Sequence, residues 1–231
     1  LLVFLIVVYF QAMKVEIPLS FGRVRGHGIR WPLNFLYTSN IPVILVAALV
    51  ANIQLFARLL QNTGHAWLGT FAGQTPSTGL VAWMSPPNLV QGVITNSLRL
   101  TPLWNSDITH AIFYMLVFIG GSVLFSVFWV QTAGLDARSQ AKQMMASGLQ
   151  IPGFRKDQRI LERLLERYIG PLTVMGGISI GFLAAIADLS GALTSGTGLL
   201  LAVMIIYRLY EDIARQHMMD MNPMMRKFMG G

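Results

Sequence analysis

The chain has 231 residues, of which 54% are hydrophobic and only 12% are charged, and its formal net charge is +7. The apolar residues form long blocks instead of helical stripes, which excludes a single water-soluble core and indicates a membrane protein with several spans. The chain contains no cysteine, which excludes disulfides, thiolate metal sites and cysteine nucleophiles within it.

The apolar blocks predict one partial and four complete membrane helices. The first block, "LLVFLIVVYF", stops after ten residues, too few to cross the hydrocarbon core. We therefore expect it to be the end of a severed helix, and the chain to be the C-terminal part of a larger protein. The later blocks approach or exceed the roughly 20 residues that a spanning helix needs. They are residues 41–60, 108–132, 170–187 and 192–207.

Basic residues indicate which connecting segments face the cytosol. Of the 17 lysines and arginines, only Arg58 and Arg99 lie outside three segments, which are residues 11–40, residues 134–168 and the tail from residue 208. Lysine and arginine bias in short loops sets membrane topology. The three segments, including the C-terminus, are therefore predicted to be cytosolic.

The two cytosolic loops have patterns of their own. "KVEIPLSFGRVRGHGIRWPLNFLY" alternates apolar and polar residues and then turns through glycines, which predicts a projecting β-hairpin with arginines near its tip. "LDARSQAKQMMASGLQ" and "KDQRILERLLERY" predict amphipathic helices on either side of the turn "IPGFR". Guanidinium groups bind phosphate bidentately, so RNA is one candidate partner. The alternative is that these charges only set the topology.

Two polar residues near the predicted spans need an explanation. Asn52 lies inside the second apolar block, where an amide must find a partner or water. It is either a bond between packed helices or part of a seam that opens or faces a water-filled cavity, and the sequence does not choose. Asp188 is expected at a short outer turn, exposed to water.

The stretch "GISIG", residues 177–181, matches the G-x-S-x-G pattern of serine hydrolases. A nucleophile elbow follows a β-strand, and no histidine lies deep inside a predicted span to act as a base, since only His110 falls within one and it lies at the first turn. Close helix packing through small residues explains these glycines better. We expect no enzymatic activity, no metal site and no cofactor.

Four stretches carry a family resemblance: "YTSNIPVILVAALVANIQ", "RVRGHG", "SGLQIPGFR" and "IADLSGALTSGTGLLLAVMIIYRLYE". Together they closely resemble the SecY family, the channel-forming alpha subunit of the protein translocon, in its archaeal and eukaryotic branch. The resemblance runs along the whole chain. It implies an all-α polytopic membrane protein, namely the C-terminal five-helix half, with a truncated first helix, of a ten-helix pseudo-twofold inverted-repeat channel.

The resemblance also implies the domain boundaries. They are the end of transmembrane helix six at 1–13, a cytosolic hairpin at 14–40, helix seven at 41–61, an outer loop at 62–107, helix eight at 108–133, a cytosolic loop at 134–168, helix nine at 169–188, helix ten at 191–211, and a cytosolic tail at 212–231.

The implied function is that of the central subunit of the Sec translocon. Such a subunit forms a passive channel that conducts secretory polypeptides across the membrane and releases transmembrane segments laterally into lipid. The expected location is the cytoplasmic membrane of an archaeon. A multi-pass transporter or a membrane scaffold remains the alternative.

The resemblance assigns residues to the path through the membrane. Ile44 and Leu201 match two of the aliphatic residues that form the family's pore constriction, where apolar side chains resist wetting and bind no particular sequence. From the residues alone they could not be preferred to Val43 or Leu200. Asn52, together with Ile41, is assigned to the lateral gate.

On the cytosolic side, Arg25 and Arg155 match the family's main contacts with the ribosome or a motor, and Arg23 and Lys156 are weaker candidates. The partners implied are the N-terminal half of the same channel, SecE (the gamma subunit), a small beta subunit, the ribosome including its rRNA, signal sequences and nascent polypeptides, and the lipid bilayer.

Overall fold

The computed structural model describes residues 2–21, 28–73, 75–87, 89–94, 107–146, 149–150, 158–191 and 195–221. Within these residues the chain forms eight helices and five strands. In chain order they are α1 Leu2–Ala12, β1 Lys14–Phe21, β2 Gly28–Asn34, α2 Ile41–Asn62, β3 Phe71–Ala72, β4 Thr75–Pro76, α3 Gly79–Trp83, α4 Leu89–Ile94, α5 Asp107–Thr132, α6 Ala137–Ala146, β5 Leu149–Gln150, α7 Gln158–Leu189 and α8 Gly196–Met221.

Three parts of the described chain are long and apolar enough to cross a membrane by length and composition. They are Ile41–Asn62, Asp107–Ala146 and Gln158–Leu189. Helix α8 is 26 residues long but carries Arg208, Glu211 and Asp212 in its second half. Residues 192–194, which begin the fourth predicted span, lie outside the described residues, so that span stays a prediction.

Helix α7 is the centre of the bundle. Its first turns are amphipathic and bury Leu161 and Leu165, and its later turns are buried on most sides. Helices α1, α2, α5, α6 and α8 all contact it. Pro171 lies inside the helix without ending it, so the predicted amphipathic helix and the predicted span that follows form one continuous helix.

Small residues bring α5 and α7 together. A Cβ atom built on Gly177 would lie 2.7 Å from the Ser126 hydroxyl oxygen, and one on Gly181 would lie 2.9 Å from the Cα atom of Ile119. The two backbones therefore approach as closely as small residues permit. The prediction that "GISIG" packs helices is confirmed, and Ser179 lies within a helix instead of on a nucleophile elbow.

Helix α2 packs against α5 and also contacts α7. Val43, Val46 and Val50 form its buried stripe, spaced as one face of a helix requires. A Cβ atom on Gly121 of α5 would lie 2.8 Å from a methyl carbon of Val46, so α5 approaches both α2 and α7 closely.

The predicted cytosolic hairpin is paired along its length. Strands β1 and β2 are antiparallel, from Lys14 opposite Asn34 to Ser20 opposite Gly28. Strand β5, from the second cytosolic loop, adds to the other edge of β1, with Phe21 opposite Leu149. The two loops thus share one three-stranded sheet in the order β2-β1-β5, a connection that the sequence does not show.

The expected exposure of Asp188 is wrong. The residue lies in the last turn of α7 and is half-buried. Its carboxylate accepts hydrogen bonds from the Tyr114 hydroxyl at 2.8 Å and from the Gly196 backbone N–H at 2.5 Å. The reason is that α7 extends to Leu189 and the first turn of α8 folds back against it.

The close approach of α5 and α7 predicts that Gly181→Ala destabilises the full-length protein by about 1–3 kcal/mol, the usual cost of overpacking. The added methyl group would meet backbone atoms of α5, which cannot rotate away. Thermal unfolding in detergent measures the change. Gly120→Ala is the matched control, because a Cβ atom there meets nothing within 4 Å. Equal unfolding temperatures for both variants and the parent would contradict the packing account.

Candidate functional site

Helices α2 and α8 each carry uncovered apolar side chains, and we call the two sets together the apolar face. It comprises the exposed aliphatic side chains Ile44, Leu45 and Leu49 of α2, and Leu201 and Ile205 of α8. The opposite sides of both helices are buried against the rest of the bundle. A single chain therefore uses each helix for packing on one side and leaves it accessible on the other.

Adjacent residues on these helices have opposite environments. Ile44 is 36% exposed whereas Val43 is fully buried, and Leu201 is 38% exposed whereas Leu200 is 3% exposed. The two predicted constriction residues are thus the accessible members of their pairs. Their side chains offer no hydrogen-bonding group, so contact with a passing molecule would depend on shape and apolar area alone.

Asn52 lies on the exposed side of α2, two turns beyond Ile44 and Leu45. Its amide nitrogen donates to the Ala48 carbonyl oxygen of the same helix at 2.8 Å. In the described part of the chain this amide makes no recorded bond to another helix. Of the two alternatives from the sequence, a bond between packed helices of this chain is therefore not observed.

Ile41, the other predicted gate residue, is the first residue of α2 and is half-buried. Asn40 precedes it as the N-cap, and Pro42 occupies the first turn. Backbone N–H groups of the first turn have no acceptor within the helix, so a proline there costs no hydrogen bond. The helix start is therefore well defined, and it places Ile41 one turn before Ile44 and Leu45.

The start of α2 is also connected to α8. Ser39 has φ of 58°, the only positive φ of a described non-glycine residue, in a region that L-residues seldom occupy. Its hydroxyl accepts a hydrogen bond from the Arg208 guanidinium at 3.3 Å and lies 3.5 Å from the Met204 sulfur. Sequence analysis missed this contact, because residues this far apart leave no local pattern.

A second contact joins α8 to the base of the hairpin. The Lys14 ammonium lies 2.7 Å from a Glu211 carboxylate oxygen. Both side chains are partly solvated, so the ion pair fixes geometry more than it adds stability. Together with Ser39 and Arg208 it places the C-terminal half of α8 beside the segment that leads into α2.

Tyr37 holds that leading segment against the end of α5. Its hydroxyl donates to the Leu135 carbonyl oxygen at 2.7 Å. Burial, with a smaller contribution from the Asp136 carboxylate, raises the pKa of Tyr37 to about 12. The phenol is therefore neutral and able to donate throughout the physiological pH range.

The cytosolic candidates Arg23, Arg25, Arg155 and Lys156 lie outside the described residues. The structure describes instead the strands to which their segments are attached. Strand β1 ends at Phe21, and β5 ends at Gln150, next to it in the sheet.

Comparisons with known proteins show the family and the fold. A family model described as SecY matches residues 1–210. The protein translocase subunit SecY of Methanococcus vannielii is 46% identical over 230 residues, covering 100% of this chain and 50% of that protein. A solved structure titled "The structure of a protein conducting channel" is 45% identical with a TM-score of 0.75, covering 94% of this chain and 48% of that one.

A more distant structure shares the fold. The idle yeast Ssh1 complex bound to the yeast 80S ribosome contains a chain that is 18% identical with a TM-score of 0.57, covering 92% of this chain and 44% of that one. The chain spans about half the length of the curated relatives it matches. The expected fold class, a helical membrane protein corresponding to half of such a channel, is confirmed.

Proposed function

The chain belongs to the SecY family, and from this we propose that it supplies one half of a passive channel that conducts secretory polypeptides across the membrane and releases transmembrane segments into lipid. The observation that carries the proposal is the apolar face, because it leaves aliphatic side chains of α2 and α8 uncovered at the positions where the family resemblance puts the pore.

Ile44 and Leu201 are proposed as two members of the pore constriction. A narrow ring of branched aliphatic groups excludes water and ions when it is empty, since dewetting closes a hydrophobic constriction. The same groups can part around a polypeptide without forming directional bonds to it. This indifference suits a channel whose substrates share no sequence.

Asn52 and Ile41 are proposed to lie at the lateral gate, the seam between the two halves. The recorded bond of Asn52 uses one amide hydrogen, which leaves its carbonyl oxygen able to accept a bond from the other half. Polar bonds between membrane helices contribute about 0.6–2 kcal/mol each. A seam closed by bonds of this strength can be opened by an apolar signal sequence.

The cytosolic loops are proposed as the contact for a ribosome, including its rRNA, or for a motor, with Arg25 and Arg155 as the main residues and Arg23 and Lys156 beside them. The shared sheet supports this, because the pairing of Phe21 with Leu149 makes the two loops one platform. The distant Ssh1 complex is itself bound to a ribosome. Guanidinium groups are well suited to phosphate.

The remaining assignments follow from the same proposal. The partners are the N-terminal half of the channel, SecE and a small beta subunit, and the location is the cytoplasmic membrane of an archaeon, with the C-terminus and both basic loops in the cytosol. The domain boundaries at 1–13, 14–40, 41–61, 62–107, 108–133, 134–168, 169–188, 191–211 and 212–231 are proposed on this basis.

The most direct test of the pore is crosslinking. In the full-length channel, photoreactive probes at Ile44 and Leu201 are expected to form adducts with a stalled secretory chain. A probe at Phe128, an exposed residue of α5, is the control and is expected to form none. A transporter or a scaffold would give no adducts at any of the three positions, and that result would overturn the proposal.

Replacing Asn52 by leucine is expected to close the gate more firmly, because apolar contact replaces a bond that a signal sequence can displace. The hydrophobicity that a signal sequence needs for insertion should rise, by an amount on the order of one polar bond, about 0.6–2 kcal/mol. A series of reporters with graded signal sequences measures the threshold. Ala51→Leu, at an exposed neighbouring position, is the control. An unaltered threshold in Asn52→Leu counts against the gate assignment.

Charge reversal at Arg25 or Arg155 is expected to weaken ribosome binding and to make it less dependent on salt. The reason is that binding releases fewer counterions from the RNA when one phosphate contact is lost. Co-sedimentation of reconstituted channels with ribosomes over a salt series measures both effects. Lys142→Glu, on the exposed side of α6, makes the same charge change at another cytosolic position. Equal loss in all three variants would show that general charge, and not these two arginines, is responsible.

A further inference from the structure

Three helices meet at the Asp188 carboxylate. One oxygen accepts the hydroxyl of Tyr114 from α5 at 2.8 Å, and the other accepts the backbone N–H of Gly196 from α8 at 2.5 Å, while Asp188 itself belongs to α7. The Tyr114 side chain is buried, so its hydroxyl depends on this partner. Each carboxylate oxygen therefore has a defined donor from a different helix.

The bond to Gly196 caps α8 from outside the helix. The first N–H groups of a helix have no intrahelical partner, and a carboxylate beside them is favoured by the helix dipole. Ser195 provides a local cap, since its hydroxyl accepts the Gly198 N–H at 3.3 Å, but that bond lies within α8's own first turn. Among the hydrogen bonds of the described residues, the Asp188 bond joins this end of α8 to α7 and, through Tyr114, to α5.

The packing around this cap leaves little freedom. A Cβ atom on Gly196 would overlap the Ala184 carbonyl oxygen, so α8 begins in direct contact with the α7 backbone. Leu200 and Val203 of the following turns are buried, and α8 packs against both α7 and α1. The two contacts of α8 at its cytosolic end, through Arg208 and Glu211, involve partly solvated side chains and hold it less firmly.

The exposure of Leu201 depends on the position and rotation of α8. Leu201 lies roughly 7.5 Å along the helix axis from Gly196, at 1.5 Å per residue. A slip of one residue would turn the helix by about 100°, which would put Leu200 in the exposed position of Leu201 and Leu199 in the buried position of Leu200. A fixed first turn therefore decides which of two identical side chains reaches the apolar face.

From these contacts we infer that Asp188 is a positioning residue for the channel: with Tyr114 it fixes the first turn of α8 against α5 and α7, and so keeps Leu201, instead of Leu200, at the constriction. This inference rests on the proposed function of Leu201. It assigns a role to a residue outside the proposed constriction and lateral gate.

The test uses the full-length channel reconstituted in vesicles, with a photoreactive aliphatic amino acid at position 200 or 201 and a stalled secretory chain. The ratio of adducts at 201 to adducts at 200 is the readout, together with resting ion flux. In Asp188→Ala the ratio is expected to fall about tenfold, because hydrogen bonds to a charged group shift an equilibrium by that order, and resting flux is expected to rise.

Two graded variants keep the test usable should Asp188→Ala not fold. Asp188→Asn retains an acceptor without the charge, and Tyr114→Phe removes one of the two bonds, so each is expected to lower the ratio by a smaller factor.

Two controls separate positioning from general stability. Ser190→Ala changes the next turn, where the hydroxyl bonds only to Ala187 of α7, and Ile180→Val removes a methyl group from the α7 core.

The outcomes are distinct. A parental ratio in all three Asp188 and Tyr114 variants, with unfolding temperatures lowered as in Ile180→Val, would show a merely structural role and overturn the inference while leaving the proposed function intact. An absence of adducts at 201 in the parent would overturn the proposed function and this inference with it. A fall in the ratio in those variants but in neither control would support the inference.

Discussion

The contact between α5 and α7 is the constraint on which the rest of the structure depends. Gly177 and Gly181 bring the α7 backbone against Ser122 and Ser126 of α5, at distances that a larger side chain would not permit. Lipid tails are as apolar as leucine, so membrane helices associate through close packing and a few polar bonds instead of hydrophobic burial. The α5–α7 pair is therefore the platform on which the other helices are placed.

Packing on the α5–α7 pair determines which sides of α2 and α8 remain uncovered. Helix α2 attaches to it through Val46, which fits over Gly121, and α8 attaches through Gly196, which lies on Ala184. Each attachment uses one side of the helix and leaves the other uncovered, so the residues next to the buried ones become the accessible ones. The exposure of Ile44 beside Val43 and of Leu201 beside Leu200 follows from this geometry.

Much of the fold could be predicted from local patterns. Apolar blocks located α2, α5 and the membrane part of α7, and alternation located the hairpin, because each of these signals repeats within one element. The choice of Ile44 over Val43 could not be made this way, since both are aliphatic and only the packing partner separates them. The family resemblance selects Ile44. The structure gives the physical reason, because Val43 is buried and Ile44 is exposed.

Contacts between distant segments were not predictable. The pairing of β5 with β1, the bond between Ser39 and Arg208 and the three-helix junction at Asp188 each join residues far apart in the sequence. Asp188 was expected to be exposed because an acidic residue beside a glycine near a helix end is typical of a turn. The helix continues past it, and its partners come from other helices. The candidate contact residues Arg23, Arg25, Arg155 and Lys156 lie outside the described residues.

The proposed function requires that the uncovered sides of α2 and α8 face a polypeptide path and not lipid, although they are as apolar as the exposed side of α5. Quenching of single fluorescent probes by spin-labelled lipid in the resting full-length channel tests this most directly. The account predicts strong quenching at Leu116, an exposed residue of α5, and weak quenching at Ile44 and Leu201. Quenching at Ile44 and Leu201 as strong as at Leu116 would place them in lipid and contradict the account.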